Sequence, residues 1–404
     1  IMKLYSHNKK IKKQHGFSIV ELMIAIFIGI IILTGLVQVF DTSSKMNRTQ
    51  NGLARIQENG RYALSLMKKN IEQTGYQYCM GESNAPAKSG AQPTKVAWDI
   101  QTTPFIPGFA EGPFDPAYLL RGHECDSTGG CTPTLNSLGA NTSAAVPGVG
   151  TGNGNRLAGT DVLTIRYISG AGREIASING NVLTFTNWSI ANTPDAAWED
   201  NGQTLVINCD TKANSPQLFE RSEMNSSSIT LTDAPRTGLL PKAFDMQRDF
   251  STITYYVANN VVNGRDIPTL YSSVNGVTNA VIEGVDAFDV IYGVKDNTGA
   301  MRYLDAAGVQ AFPVASCWPN VFDDINNTNI PNAAGCGWRS VVTIELHMLL
   351  NTIYNSSNND NENFRYSQLG EGFLDQTDLV SGINHYSMHR KEFTTSIALK
   401  NIMQ

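Results

Sequence analysis

The stretch Gln14-His15-Gly16-Phe17-Ser18-Ile19-Val20-Glu21-Leu22-Met23, QHGFSIVELM, sets one carboxylate at the front of an apolar run. From Phe17 to Phe40 there are twenty-four residues, and Glu21 is their only charge. A helix of that length spans roughly 36 Å, enough for a bilayer core. A secretory signal has a shorter apolar region, about 7–15 residues, and here the glycine precedes the run. A carboxylate in a membrane helix costs on the order of 2.5–3.5 kcal/mol at the centre and less near an end. A plain anchor gains nothing from that cost, so Glu21 is a functional candidate.

Upstream, residues 1–16 carry Lys3, Lys9, Lys10, Lys12 and Lys13 and no acid. They read as a basic leader that stays cytoplasmic while the body faces outward. The formal charge of the chain is −6, and taking away those five lysines leaves −11. An acidic body argues against broad nucleic-acid binding, which needs phosphate-neutralising Lys and Arg.

Downstream, the first proline is Pro86, so nothing forces the helix to end at Phe40. Apolar residues recur at Leu53, Ile56, Leu64, Met67 and Ile71, with Gly60 on the same stripe, the spacing of an amphipathic helix. Two halves are expected: 17–40 for membrane and assembly, and 41–75 packing on a globular domain. The whole rod has about 55 residues and is about 80 Å long, ending near Gly75. Gly29, Gly35, Gly52 and Gly60 read as weak points where it bends or melts.

GFSIVEL resembles the processing and assembly motif of type IV prepilins and related pseudopilins. The resemblance implies that a prepilin peptidase cuts after Gly16, that Phe17 becomes the N-methylated first residue, and that Glu21 is the assembly glutamate. Physics supplies the role. In a helical stack, Glu21 of one subunit pairs with the Phe17 amine of a neighbour, since either charge alone in low dielectric is costly. RIQENGRYALSLMKKNIEQTGY (Arg55–Tyr76), VIEGVDAFDVIYGV (Val281–Val294) and RKEFTTSIALKN (Arg390–Asn401) resemble segments of PilW-type minor pilins. With the N-terminal motif they cover about a quarter of the chain.

Residues 76–160 form a Gly/Pro-rich variable region without periodicity. GVGTGNGN, Gly148–Asn155, lacks the GxxxxGK and GxGxxG patterns and reads as a surface loop. Residues 161–404 are expected to form a β-rich domain. Asp161–Ile168, Asn181–Trp188, Thr204–Cys209, Thr252–Ala258, Phe288–Val294 and Ser340–Leu350 read as strands. Alternation in the last sets His347 on its wetter side, and EFTTSIALK is expected in the same sheet. The fold class is α+β, type IV pilin-like: a long N-terminal helix on an antiparallel sheet with large loop insertions.

Six cysteines with no CxxC pair, behind an export-like N-terminus, suggest up to three disulfides. Short loops favour Cys125–Cys131 and Cys317–Cys336, leaving Cys79–Cys209; buried free thiols are the alternative. HYSMH (His385–His389) has a chelating spacing on a helix but lacks the glutamate of HExxH. FDDINNTN (Phe322–Asn329) and NSSNNDNENF (Asn355–Phe364) lack the ligand order of an EF-hand loop. No metal, cofactor, nucleophile elbow or catalytic carboxylate pair is expected, so the chain reads as a non-enzyme.

The resemblance implies a minor pilin in a priming or tip complex. Its partners would be prepilin peptidase, other minor pilins, the major pilin, the inner-membrane assembly platform and a tip adhesin. A J-type pseudopilin of type II secretion shares the N-terminal motif but is usually shorter. A membrane-anchored adhesin module is the reading from a different class.

Overall fold

The computed structural model describes residues 16, 18–76, 78, 119–135, 146–186, 203–208, 217–225, 227–232, 234–235, 237–245, 248–313, 316, 336–354, 363–369, 374, 379 and 387–401. Two compact units emerge, Ile1–Asn51 and Gly52–Gln404.

One helix, α1 (Ile19–Ile71), carries the whole N-terminal run. Glu21 lies in its first turn and Lys68 and Lys69 in its last, each charge at the end where the helix dipole favours it. Leu22 N donates to Ser18 O at 3.0 Å as the helix opens, and Gly75 at φ 73° closes the turn after it. Within the second unit, Ile56, Gly60, Ala63, Met67 and Ile71 are buried, at steps of four, three, four and four residues. Leu53 and Leu64 flank that stripe and are partly buried. This is the amphipathic face expected from the spacing.

The strands follow in chain order. β1 (Leu120–Cys125), β2 (Cys131–Thr132) and β3 (Val162–Ile168) come first. Next are β4 (Arg173–Asn179), β5 (Val182–Phe185), β6 (Gln203–Ile207), β7 (Gln217–Met224), β8 (Ser228–Leu231) and β9 (Lys242–Asp245). β10 (Phe250–Val262), β11 (Arg265–Val274) and β12 (Val277–Glu283) run as hairpins. β13 (Val285–Lys295) and β14 (Met301–Leu304) precede two short helices, α2 (Ala306–Gln310) and α3 (Cys336–Arg339). β15 (Val341–Asn351) and β16 (Arg390–Ala398) complete the order.

They make three β layers. One sheet has the order β12-β11-β10-β3-β1-β2 and a second β14-β13-β15-β16. Both are antiparallel throughout, and β16 pairs with β15 from Thr343↔Ala398 to Asn351↔Arg390. The buried stripe of α1 joins one core with Leu163, Ile165, Tyr255 and Val257 of the first sheet and Phe288, Val290, Ile344 and Leu346 of the second. β4 to β9 close into a separate six-stranded barrel inserted between β3 and β10. Its core is Leu183, Phe185, Val206, Phe219, Ile229 and Leu231.

Two sequence readings change, and a third gains detail. The 76–160 region is not structureless: β1 lies inside the first sheet between β3 and β2. Its polar residues hid it. Arg121 and His123 are buried, and burial pulls the His123 imidazole down to about 4. The neutral ring then donates from Nδ1 to Pro133 O at 2.6 Å, the tautomer a carbonyl acceptor demands. His347 is buried as well, because residues 363–369 cover that face of β15. Gly148–Asn155 is an exposed loop, but it is tied to β10 through Gly154 N to Asn259 O and Asn259 Nδ2 to Thr151 O.

Candidate functional site

The N-terminal half of α1 shows what the apolar run is for. Sixteen large apolar side chains from Ile19 to Phe40 are each 50–78% exposed. Burying one such side chain is worth roughly 1.5–3 kcal/mol, so sixteen left in water on one helix is untenable. Lipid, or the apolar helices of neighbouring subunits, must cover them. Length and composition suit a membrane span. Glu21 is exposed among them in the first turn. Gly16 is exposed, with nothing within 4 Å of where a Cβ would sit, so no packing among the described residues requires a glycine there. Phe17 and residues 1–15 lie outside the described residues.

A second concentration of polar groups was not read from the sequence. Glu124 of β1, Asp161 just before β3 and Asp289 of β13 bring carboxylate oxygens within 4.8 Å of one another. They bridge the two sheets. Asp161 accepts from Cys125 N at 3.2 Å with Oδ1 and from Val290 N at 2.9 Å with Oδ2. Tyr366 donates its hydroxyl to Asp289. Burial pushes Glu124 up to about 7, with Asp305 and Asp289 adding to it. Burial holds Asp161 well above the carboxylate range, reinforced by Asp289 and Glu124. Asp289 is raised to about 6 by burial, opposed by the Tyr366 hydroxyl and His347. Among the described residues this is the set of donors that would suit a hard divalent cation; without one, the three share protons. The three lie far apart in sequence, and only strand pairing unites them.

His347 meets Ser367, Glu392 and Glu345. Ser367 Oγ at 2.9 Å and Glu392 Oε1 at 3.1 Å both face Nδ1, and Nε2 faces Glu345 at 3.4 Å.

Cys125 and Cys131 are joined by a disulfide, with Cα atoms 4.1 Å apart. Cys79, Cys209 and Cys317 lie outside the described residues, and so does the side chain of Cys336. The same holds for His385, for Phe322–Asn329, and for Asn355–Phe364 apart from its last two residues.

Residues 11–37 match the family model for the prokaryotic N-terminal methylation motif. Residues 254–401, from β10 through β16, match the model for type IV pilus-assembly protein W. No curated protein matches the chain, and no solved structure does. Together with an exposed apolar helix that carries Glu21 in its first turn, the first match defines a type IV prepilin-like protein. The second makes it PilW-type, with a minor-pilin-like role in the type IV pilus. The W match stops short of β1–β3 and the inserted barrel.

Proposed function

We propose that the chain is a minor pilin of a priming or tip complex. It is made as an inner-membrane precursor with its body in the periplasm, cut between Gly16 and Phe17 by prepilin peptidase and methylated on Phe17. Other minor pilins, the major pilin and the assembly platform are its partners, and a tip adhesin is a further one. Assembly then carries it to the cell surface. The observation that supports this reading is the placement of Glu21: one carboxylate, exposed in the first turn of a helix that is otherwise apolar or glycine from Ile19 to Leu33. Four residues separate it from Phe17, so the new amine of one subunit and the carboxylate of the next can neutralise each other while the apolar faces pack.

Mass spectrometry of the mature N-terminus, from cells with and without prepilin peptidase, tests the proposal. The expected chain begins with methylated Phe17 only when the peptidase is present, and sheared pili contain it. An intact leader in both strains, with the protein absent from pili, would leave a membrane-anchored binding protein instead.

A further inference from the structure

Arg156 is 2% exposed and follows directly on the glycine-rich loop. Backbone carbonyls pin its guanidinium: Nη2 donates to Gly129 O at 2.8 Å, and Nη1 to Leu157 O at 3.2 Å and Thr160 O at 3.5 Å. Nε has no partner. No carboxylate among the described residues forms an ion pair with this arginine. Asp161 and Asp126 act on it only through space, so part of a buried positive charge is left unmatched.

Arg156 also lines a cleft of about 420 Å³, within the usual range for small-molecule sites. Leu135, Val146, Pro147 and Val149 line it too, beside Gly129 and Gly148. Both rims are fixed. The Cys125–Cys131 disulfide closes one loop, in which Asp126 Oδ1 accepts from Thr128 N, Thr128 Oγ1 and Gly130 N at 2.8, 2.7 and 3.0 Å. The other rim is held by Gly150 N to Arg156 O and by Arg156 N to Gly148 O. A preformed cleft loses little entropy when it is filled.

The chemistry of the lining selects the ligand. Both terminal nitrogens of Arg156 already donate, so it cannot offer the free fork that suits a phosphate. It offers one fixed positive charge in a cleft of mixed lining, where Thr134 and the glycine backbone stand beside Leu135, Val146, Pro147 and Val149. We propose that this cleft binds a small ligand carrying one carboxylate on an apolar body. Arg156 attracts the anion, and Leu135, Val146, Pro147 and Val149 hold the body. Two sources share this chemistry: a free short-chain carboxylic acid, and a peptide C-terminus ending in an apolar residue.

The test is a ligand-observed saturation-transfer titration on the full-length chain in detergent micelles, with empty micelles as the blank. The probes are hexanoate and N-acetyl-leucine, each against its neutral amide. The acid is expected to bind at least about tenfold more tightly than its amide, a difference typical of bonds to charged groups. Arg156→Gln should lose about that factor. Val149→Trp changes a half-exposed rim position bridged to the Arg156 backbone and fills the cleft while leaving the Arg156 side chain in place, so it keeps the test sound should Arg156→Gln unfold. Preference for hexanoate points to the free acid and preference for N-acetyl-leucine to a peptide end. Equal binding of acid and amide, full affinity in Val149→Trp, or no binding of either acid at millimolar concentration would overturn the proposal. The readout uses purified protein, so it stands apart from the pilin reading.

Discussion

A Cβ placed on Gly60 would lie 2.6 Å from Cε1 of Phe393, with Cδ1 and Cγ of the same ring at 2.7 Å. β16 seats an aromatic ring on Gly60, one of four positions in α1 without a side chain. Gly60 is therefore a packing seat inside a regular helix, where the sequence suggested a weak point. The contact joins residues 333 positions apart and helps fix β16, the far edge of the second sheet, on the helix.

The first prediction follows from that seat. Gly60→Ala should gain up to about 1 kcal/mol in helix propensity. It must also displace the Phe393 ring, and overpacking of this kind costs about 1–3 kcal/mol. Overpacking should win, and Phe393→Ala should relieve the strain in the double variant. Thermal unfolding of the three variants checks the sign: a more stable Gly60→Ala would mean the ring moves freely.

Glu21→Ala should leave membrane insertion intact, or improve it slightly, because removing a carboxylate from an apolar helix lowers the cost of insertion. Incorporation into fibres should fall at least about tenfold, because the neighbour's Phe17 amine would then be buried without a counter-charge. Immunoblots of membranes and sheared pili, side by side, separate the two effects. Equal loss from both fractions would point to misfolding and not to failed assembly.

Inside the barrel, Arg221 Nη1 and Asp245 Oδ2 lie 2.5 Å apart with both side chains fully buried. Thr204 Oγ1 also accepts from Arg221, at 3.4 Å. Removing one partner strands the other charge in low dielectric, so Asp245→Ala should cost about 3–5 kcal/mol. Because β4–β9 close on themselves, the loss should appear first as local opening of residues 173–245. Hydrogen exchange should then show those amides deprotected while β13 and β15 stay protected. Uniform deprotection would mean that the barrel and sheets unfold as one unit.

What could be read in advance depended on whether the signal was local. The helix was legible because its apolar stripe repeats every three or four residues, and β3, β10, β13 and β15 because their apolar runs are long. β1 was not, since LRGHEC looks polar until His123 finds Pro133 and Glu124 finds the other carboxylates. The hairpins β10–β11 and β11–β12 turn at Asn263-Gly264 and Asn275-Gly276, each with both residues at positive φ. Those dipeptides are a strong hairpin signal that strand composition alone overlooked. In the barrel, β5 and β6 were read as strands, whereas β4, β7, β8 and β9, of four to eight residues, were not. At the N-terminal end, the methylation motif was visible because it is contiguous. The carboxylate seam and the Arg156 cleft were not, because tertiary pairing alone creates them.

That seam makes the fold sensitive to pH, and the sign is fixed by the direction of the shifts. Glu124 is raised to about 7 and Asp289 to about 6, from ordinary values of 4.5 and 3.8. A carboxyl whose folded pKa lies above its unfolded one stabilises the fold fully below the unfolded value. That stability is lost as pH rises through the folded value. Between about pH 4 and pH 7 the chain should therefore lose stability from this site. The loss should be on the order of 3 kcal/mol, most of it from Asp289 once Glu124 is discounted for its partial exposure. Other acids on the surface add their own slope, so the informative quantity is a difference between two proteins. Glu124→Gln removes one titrating member without adding volume and should flatten the stability profile over pH 5–7.5 relative to the parent chain. Denaturant titrations of both proteins at four pH values measure it. Parallel profiles would show that the three carboxylates do not share protons, and that a cation or water already separates their charges.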